Sequence, residues 1–177
     1  MYAVARLVGA SMLLVPVTAC AQTGPRVRPS QRASVTQSIG ATDIQIAYRR
    51  PVARGRTLFP DLVPYGKIWT PSADSAVVFV TSTAITVNGS RLAAGSYAVW
   101  AIPDSTRWTV IFSRNAHVFH LRYPEGEDAL RVQAVVQNGP HMEALLFYFP
   151  VVEGAKAELR MHWGSVMIPL SIEGVVP

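Results

Sequence analysis

The chain has 177 residues, half of them apolar and only 15% charged, which fits one compact domain and excludes an intrinsically disordered protein. Its formal net charge of +5 at pH 7 comes almost wholly from arginine, because Lys67 and Lys156 are the only lysines. Nucleic-acid-binding proteins typically show a longer basic stripe with lysines and interleaved aromatic residues, so we expect no nucleic-acid partner.

Residues 1–20 are predicted to be a signal peptide of the lipoprotein type. Arg6 precedes an apolar run, residues 7–17, that is too short and too interrupted to span a bilayer. The VTAC of residues 17–20 fits a lipoprotein signal in which Cys20 becomes the lipidated first residue. Alanines at 19 and 21 also fit ordinary secretory cleavage, which would remove the cysteine. We favour lipidation because Cys20 is the only cysteine, and both alternatives predict export.

Residues 21–31 are predicted to be a linker, and residues 32–177 a single domain in which apolar and polar residues alternate. In residues 42–48, Ile44, Ile46 and Tyr48 share one face, as in a half-buried strand. Asn88-Gly89 predicts a hairpin turn, and residues 103–106 predict a second one.

Further strands are predicted at residues 129–136, 143–149, 156–163 and 166–172. No long segment shows a helical period, and the turn signals recur about every ten residues. We therefore predict an all-β fold, an antiparallel β-sandwich of immunoglobulin-like or jelly-roll-like type. Trp108 and Trp163 lie on the apolar phase of their strands and are expected in its core.

The segment GRTLFPDLVPYGKIW, residues 55–69, has no period. With the residue before it, this segment brings five ligand-binding candidates close together: Arg54, Arg56, Tyr65, Lys67 and Trp69. One interpretation is functional, a shallow anion or sugar site built from cations and aromatic edges. The other, favoured by the many apolar residues, is structural. In it the segment caps the open end of the sandwich, and Arg56 and Lys67 pair with Asp61 or Asp74.

No metal, cofactor or catalytic constellation is predicted. His117 and His120 would point to opposite faces of a strand, and His162 is expected on an exposed strand face, so the histidines are interpreted as surface residues. Ser165 lacks the glycine-flanked turn that exposes a hydrolase nucleophile. These patterns favour a protein that is not an enzyme.

Several joined motifs resemble the bacterial domain of unknown function 2911 family, from about Arg32 to Ile172. The motifs are S-x-G-x-T-D at 38–43, Y-x-R-P at 48–51, G-R at 55–56, L-V-P-Y-G-K-x-W at 62–69 and L-x-x-G-x-Y at 92–97. The resemblance implies an exported, lipoprotein-like β-sandwich of the Gram-negative envelope with no established activity. Two segments, 70–74 and 117–120, depart from the family pattern, so the histidines are poor candidates for a family-wide metal site.

Together these observations predict a non-enzymatic binding or structural module of the cell envelope, in the periplasm or anchored to the outer membrane. The expected partner is a glycan, a peptide or an envelope protein, and membrane contact is expected only through a lipid anchor. The alternative is a hydrolase of envelope polymer or small esters, with Lys67, Tyr65 or a histidine as the acid-base group.

Overall fold

The computed structural model describes residues 30–174, so the predicted signal peptide and most of the predicted linker lie outside the described residues. Ten strands occupy the described part, in chain order: β1 (Arg32–Ile39), β2 (Thr42–Arg49), β3 (Val77–Thr81), β4 (Ile85–Val87), β5 (Ser90–Leu92), β6 (Gly95–Ile102), β7 (Arg107–Ser113), β8 (Asp128–Val135), β9 (Gln137–Glu153) and β10 (Lys156–Gly174). A π-type turn spans Leu58–Leu62, and Phe59 within it has extended backbone angles.

The strands form two antiparallel sheets, which confirms the predicted all-β sandwich. A six-stranded sheet has the order β1-β2-β3-β6-β7-β8, and a four-stranded sheet has the order β5-β4-β10-β9. Alternation builds the core as expected: Ile44, Ile46 and Tyr48 of β2 are buried, while Gln45 and Ala47 between them are exposed.

The outer face of the six-stranded sheet is also partly covered. Trp100 of β6 is only 2% exposed, although it lies on the face opposite to the inter-sheet core. The β7–β8 connection, residues 114–127, folds back so that Val118 and Tyr123 pack against a small second core of Ala76, Ala98, Trp100 and Ile111. Burial of Trp100 therefore depends on a loop, not on the second sheet.

The prediction that His162 is a surface residue is wrong, because its side chain is 2% exposed. Gly164 pairs with Met142 and Val166 pairs with Asn138, so residues 139–141 of β9 oppose Ser165 alone. This bulge lies over His162, whose Nε2 is 3.0 Å from the carbonyl oxygen of Pro140. Strand β10 also runs without a break through Gly164, although two separate strands, 156–163 and 166–172, were predicted there.

The predicted Asn88-Gly89 turn is confirmed, with φ angles of 47° and 79° at these two residues. The Asn88 side chain also connects this turn to two strands. Its Nδ2 donates to the carbonyl of Gln133 on β8, and its Oδ1 accepts the N–H of Ser171 on β10, both at 2.8 Å. Asn88 therefore joins β8, an edge strand of the six-stranded sheet, to the four-stranded sheet.

Replacing Asn88 by alanine should lower the free energy of unfolding by about 1–3 kcal/mol, because two hydrogen bonds are lost and alanine tolerates positive φ poorly. Urea unfolding monitored by tryptophan fluorescence measures this difference. Asn88→Gly tolerates positive φ but also loses both side-chain hydrogen bonds, so it should lose less than Asn88→Ala and still about 1–2 kcal/mol. An unchanged free energy of unfolding in Asn88→Gly would contradict this role.

Candidate functional site

The segment containing the predicted site residues, residues 54–69, lies across one end of the sandwich and is hydrogen-bonded to both sheets. Just before the segment, the N–H of Ala53 donates to the backbone carbonyl of Glu143 on β9 at 2.8 Å. At its end Trp69 and Ala101 of β6 exchange two backbone hydrogen bonds, of 2.9 and 2.7 Å. We call residues 54–69 the end loop.

Four aromatic rings anchor the end loop in the core. Phe59 lies 5.1 Å from Trp108 of β7 and 6.1 Å from Trp163 of β10, both edge to face. Trp69 stacks on Trp163 with ring centroids 6.0 Å apart and lies 6.0 Å from Trp108. Such pairs contribute about 0.5–1.5 kcal/mol each beyond the area they bury. The end loop therefore connects the tryptophans of both sheets.

Other apolar residues of the end loop divide between core and surface. Leu58 and Val63 are buried, whereas Leu62 and Ile68 are about 40% exposed. The structural interpretation, in which apolar residues cap the sandwich, thus holds for the first pair and not for the second.

A cleft of about 260 Å³ separates the end loop from the bulged part of β9 and β10. Its lining residues are Arg56, Leu58, Phe59, Tyr65, His141, Trp163, Gly164, Ser165 and Val166. Apolar rings form its inner part, and polar side chains from the loop and from the bulge lie around its rim.

Arg56 is held by backbone carbonyls. Its Nε–H donates to Ala53 at 2.8 Å, and its Nη2 donates to Val52 at 2.6 Å. The predicted pairing of Arg56 with Asp61 or Asp74 is therefore wrong, and Asp74 instead forms an ion pair with Arg49 at 3.5 Å. The physical reason is proximity: the chain turns at Arg54 and Gly55, both with positive φ, and this brings the guanidinium back onto residues 52 and 53.

The five candidate residues do not form one group. Arg56 and Tyr65 line the cleft, and Tyr65 is 38% exposed. Trp69 is half-buried and stacks on Trp163, so it supports the cleft from within. Arg54 and Lys67 are exposed and are not among the lining residues.

Sequence reasoning missed the other side of the cleft, where His141 and Glu143 form a pair. His141 Nε2 lies 3.1 Å from Glu143 Oε2, and Glu143 Oε1 accepts the backbone N–H of Arg54 at 2.7 Å. The hydrogen bond from His141 and then that from Arg54 lower the pKa of Glu143. Gly139-Pro140 in a strand is the sequence signal for the bulge that carries His141 into the cleft.

Residues 30–174 contain no group of three or more His, Cys, Asp or Glu side chains arranged to hold a metal ion. His117 is exposed, and the ring of His120 packs against that of Phe119. Within the same range, no helix has the length and apolar character needed to cross a membrane. Cys20 lies outside the described residues, and its lipidation stays a prediction.

Comparison with known proteins gives one family. The family model described as "Protein of unknown function (DUF2911)" matches residues 30–172. Neither curated proteins nor solved structures give a match.

The position of the end loop depends on the absence of a side chain at Gly164. An ideal Cβ there would lie 2.8 Å from Cδ1 of Leu58, and Gly164 has a φ of +58°. Gly164→Ala should therefore destabilise the protein by about 2–4 kcal/mol, from strained backbone and a displaced Leu58. Urea unfolding measures the loss.

Gly126→Ala is the matched control, because Gly126 has a φ of +81° and nothing within 4 Å of an added Cβ. Its free energy of unfolding should fall only by the cost of the strained backbone, about 1–2 kcal/mol. Equal losses for the two substitutions would show that contact between Leu58 and Gly164 does not hold the end loop.

Proposed function

The chain belongs to the DUF2911 family of proteins of unknown function, and we propose that it is a non-enzymatic module of the cell envelope that binds an anionic glycan or peptide group in the cleft beside the end loop. The predicted signal peptide and the single cysteine support an envelope location. The observation that carries the binding proposal is the fixed guanidinium of Arg56 on a cleft with an aromatic interior.

Arg56 suits recognition of a carboxylate. Two carbonyl acceptors fix the side chain before any ligand arrives, so little rotamer freedom remains to be lost on binding. Tyr65 adds an accessible ring and a hydroxyl at the same rim, as carbohydrate or peptide recognition requires. A planar guanidinium beside an aromatic edge favours an acidic sugar or a terminal carboxylate over a neutral group.

The size of the cleft restricts what it holds. Its volume of about 260 Å³ is below the ~300–1,000 Å³ of typical small-molecule pockets. One sugar ring or one terminal residue fits these dimensions, and the remainder of a longer polymer would lie outside.

Isothermal titration with N-acetylmuramate and with N-acetylglucosamine tests this proposal, because the first sugar carries a carboxylate and the second does not. Wild-type protein should bind the acidic sugar more tightly, and Arg56→Ala should weaken that binding about 10- to 100-fold, the worth of a charge-assisted hydrogen bond. Lys67→Ala is the control, since Lys67 is a cation of the same loop outside the cleft. Equal weakening in both variants, or indifference to the carboxylate, would contradict the proposal.

One observation favours the hydrolase alternative. His141 and Ser165 line the same cleft, and the carboxylate of Glu143 is hydrogen-bonded to His141. A carboxylate that orients a histidine is a component of many acid-base sites. However, the His141 and Glu143 side chains are 60% and 53% exposed, and Glu143 also binds the Arg54 N–H, so a structural role accounts for the pair.

Ester hydrolysis separates the two functions. If the cleft only binds, wild-type protein and His141→Gln should hydrolyse p-nitrophenyl acetate at the same slow rate. General acid-base catalysis is worth about 100- to 10,000-fold, so a loss of that size in His141→Gln would establish the hydrolase and overturn the non-enzymatic proposal.

A further inference from the structure

We propose that the β7–β8 connection docks on an anionic phospholipid bilayer, with Phe119 and Leu121 inserted among the lipid headgroups. This contact is separate from ligand binding in the cleft. It also adds to the lipid anchor predicted at Cys20, which was the only membrane contact expected from the sequence.

The tip of this connection presents apolar side chains to solvent. The N–H of Arg122 donates to the carbonyl of Phe119 at 2.9 Å, which closes a tight turn with His120 and Leu121 at its apex. Leu121 is 76% exposed, more than any other large apolar side chain among the described residues, and Phe119 is 52% exposed. We call residues 119–122 the apolar tip.

Hydrogen bonds attach the base of the connection to the sheet, so the apolar tip projects outward. Val118 accepts the N–H of Ala76 at 3.1 Å, and Phe119 forms a β-bridge with Ser75. Farther along, the hydroxyl of Tyr123 donates to Asp128 at 2.6 Å. Covering Trp100 requires Val118 and Tyr123, and neither Phe119 nor Leu121 belongs to that small core.

The charge around the apolar tip complements lipid phosphates. Arg122 ends the turn, and Arg32 and Arg49 line an adjacent groove of about 500 Å³ that also includes Ser75. Asp74 offsets Arg49 through their ion pair. Glu125 and Glu127 are the acidic residues of the connection, and both follow Tyr123 in the sequence. The formal net charge is +5, or +4 once Arg6 is removed with the predicted signal peptide, so the chain is attracted to an anionic surface.

The predicted anchor would keep the domain near a membrane. Arg32 is the first residue of β1 and lines the groove beside Ser75. The residues between Cys20 and Arg32 would span at most about 40 Å when extended, at roughly 3.3–3.6 Å each. A domain anchored at Cys20 would therefore keep Arg32 within about 40 Å of the lipid surface, which raises the local concentration of the apolar tip at the membrane.

A bilayer fits the apolar tip better than a protein does. Stable protein interfaces bury about 800 Å² on each partner, and two projecting side chains supply only a small part of that area. A bilayer needs no matching pocket, and it accepts a small apolar insertion flanked by cations.

Fluorescence of a tryptophan placed at the apolar tip tests this inference. Full-length Phe119→Trp would be mixed with vesicles of phosphatidylethanolamine and phosphatidylglycerol, with and without brominated acyl chains. Val151→Trp is the matched control, since Val151 is also about half exposed, at 46%, on the β9–β10 hairpin. After subtraction of the wild-type signal, the emission of the tryptophan at position 119 should shift to the blue with vesicles and be quenched at least twofold by brominated chains. The tryptophan at position 151 should show neither change.

Quenching that is absent at position 119, or equal at the two positions, would overturn the proposal. Adding Leu121→Asp to Phe119→Trp should abolish the quenching, and persistence of the signal would count against insertion of the tip. Photo-crosslinking from position 119 in intact envelopes gives a last check: lipid adducts support the proposal, and adducts only with a protein contradict it. The cleft shares no residue with the apolar tip, so loss of sugar binding would leave these readouts unchanged.

Discussion

Packing of Phe59 against Trp108 and Trp163 is the constraint on which the end of the sandwich depends. The two tryptophans belong to different sheets, and the end loop inserts its own rings, Phe59 and Trp69, between and beside them. A domain whose described part contains no cysteine has no disulfide there to close this end, so apolar packing must do so. The many apolar residues of a segment without periodicity follow from that requirement.

The same packing positions the residues of the proposed binding site. Because its apolar side is fixed in the core, the end loop presents Arg56 and Tyr65 at constant positions, opposite the bulge that carries His141. The structural interpretation and the proposed function therefore concern two sides of one segment. If the cleft binds a ligand as proposed, rigidity of this kind would lower the entropy lost on binding.

Much of the fold could be predicted because alternation is a local property. The faces of β2, the Asn88-Gly89 turn and the core positions of Trp108 and Trp163 all follow from residues close together in sequence. Burial of His162 and the position of His141 could not be predicted from the sequence. Both result from the register between β9 and β10 around a three-residue bulge at 139–141. The partners of Arg56 could not be predicted either. Its charge suggests a carboxylate partner, whereas its observed acceptors are backbone carbonyls, which have no signature in the sequence. Burial of Trp100 could not be predicted for a similar reason, because the loop that covers it is distant in sequence.

Hydrogen exchange in the end loop is the measurement that tests this account most directly. The amides of Val63, Gly66 and Trp69 donate to Leu58, Pro103 and Ala101, each at 2.9 Å. If aromatic packing makes the loop part of the core, these amides should exchange only through global unfolding, with the same opening free energy as amides of β6. Exchange through local opening, orders of magnitude faster than in β6, would show that the loop is an independent lid and would contradict the central claim.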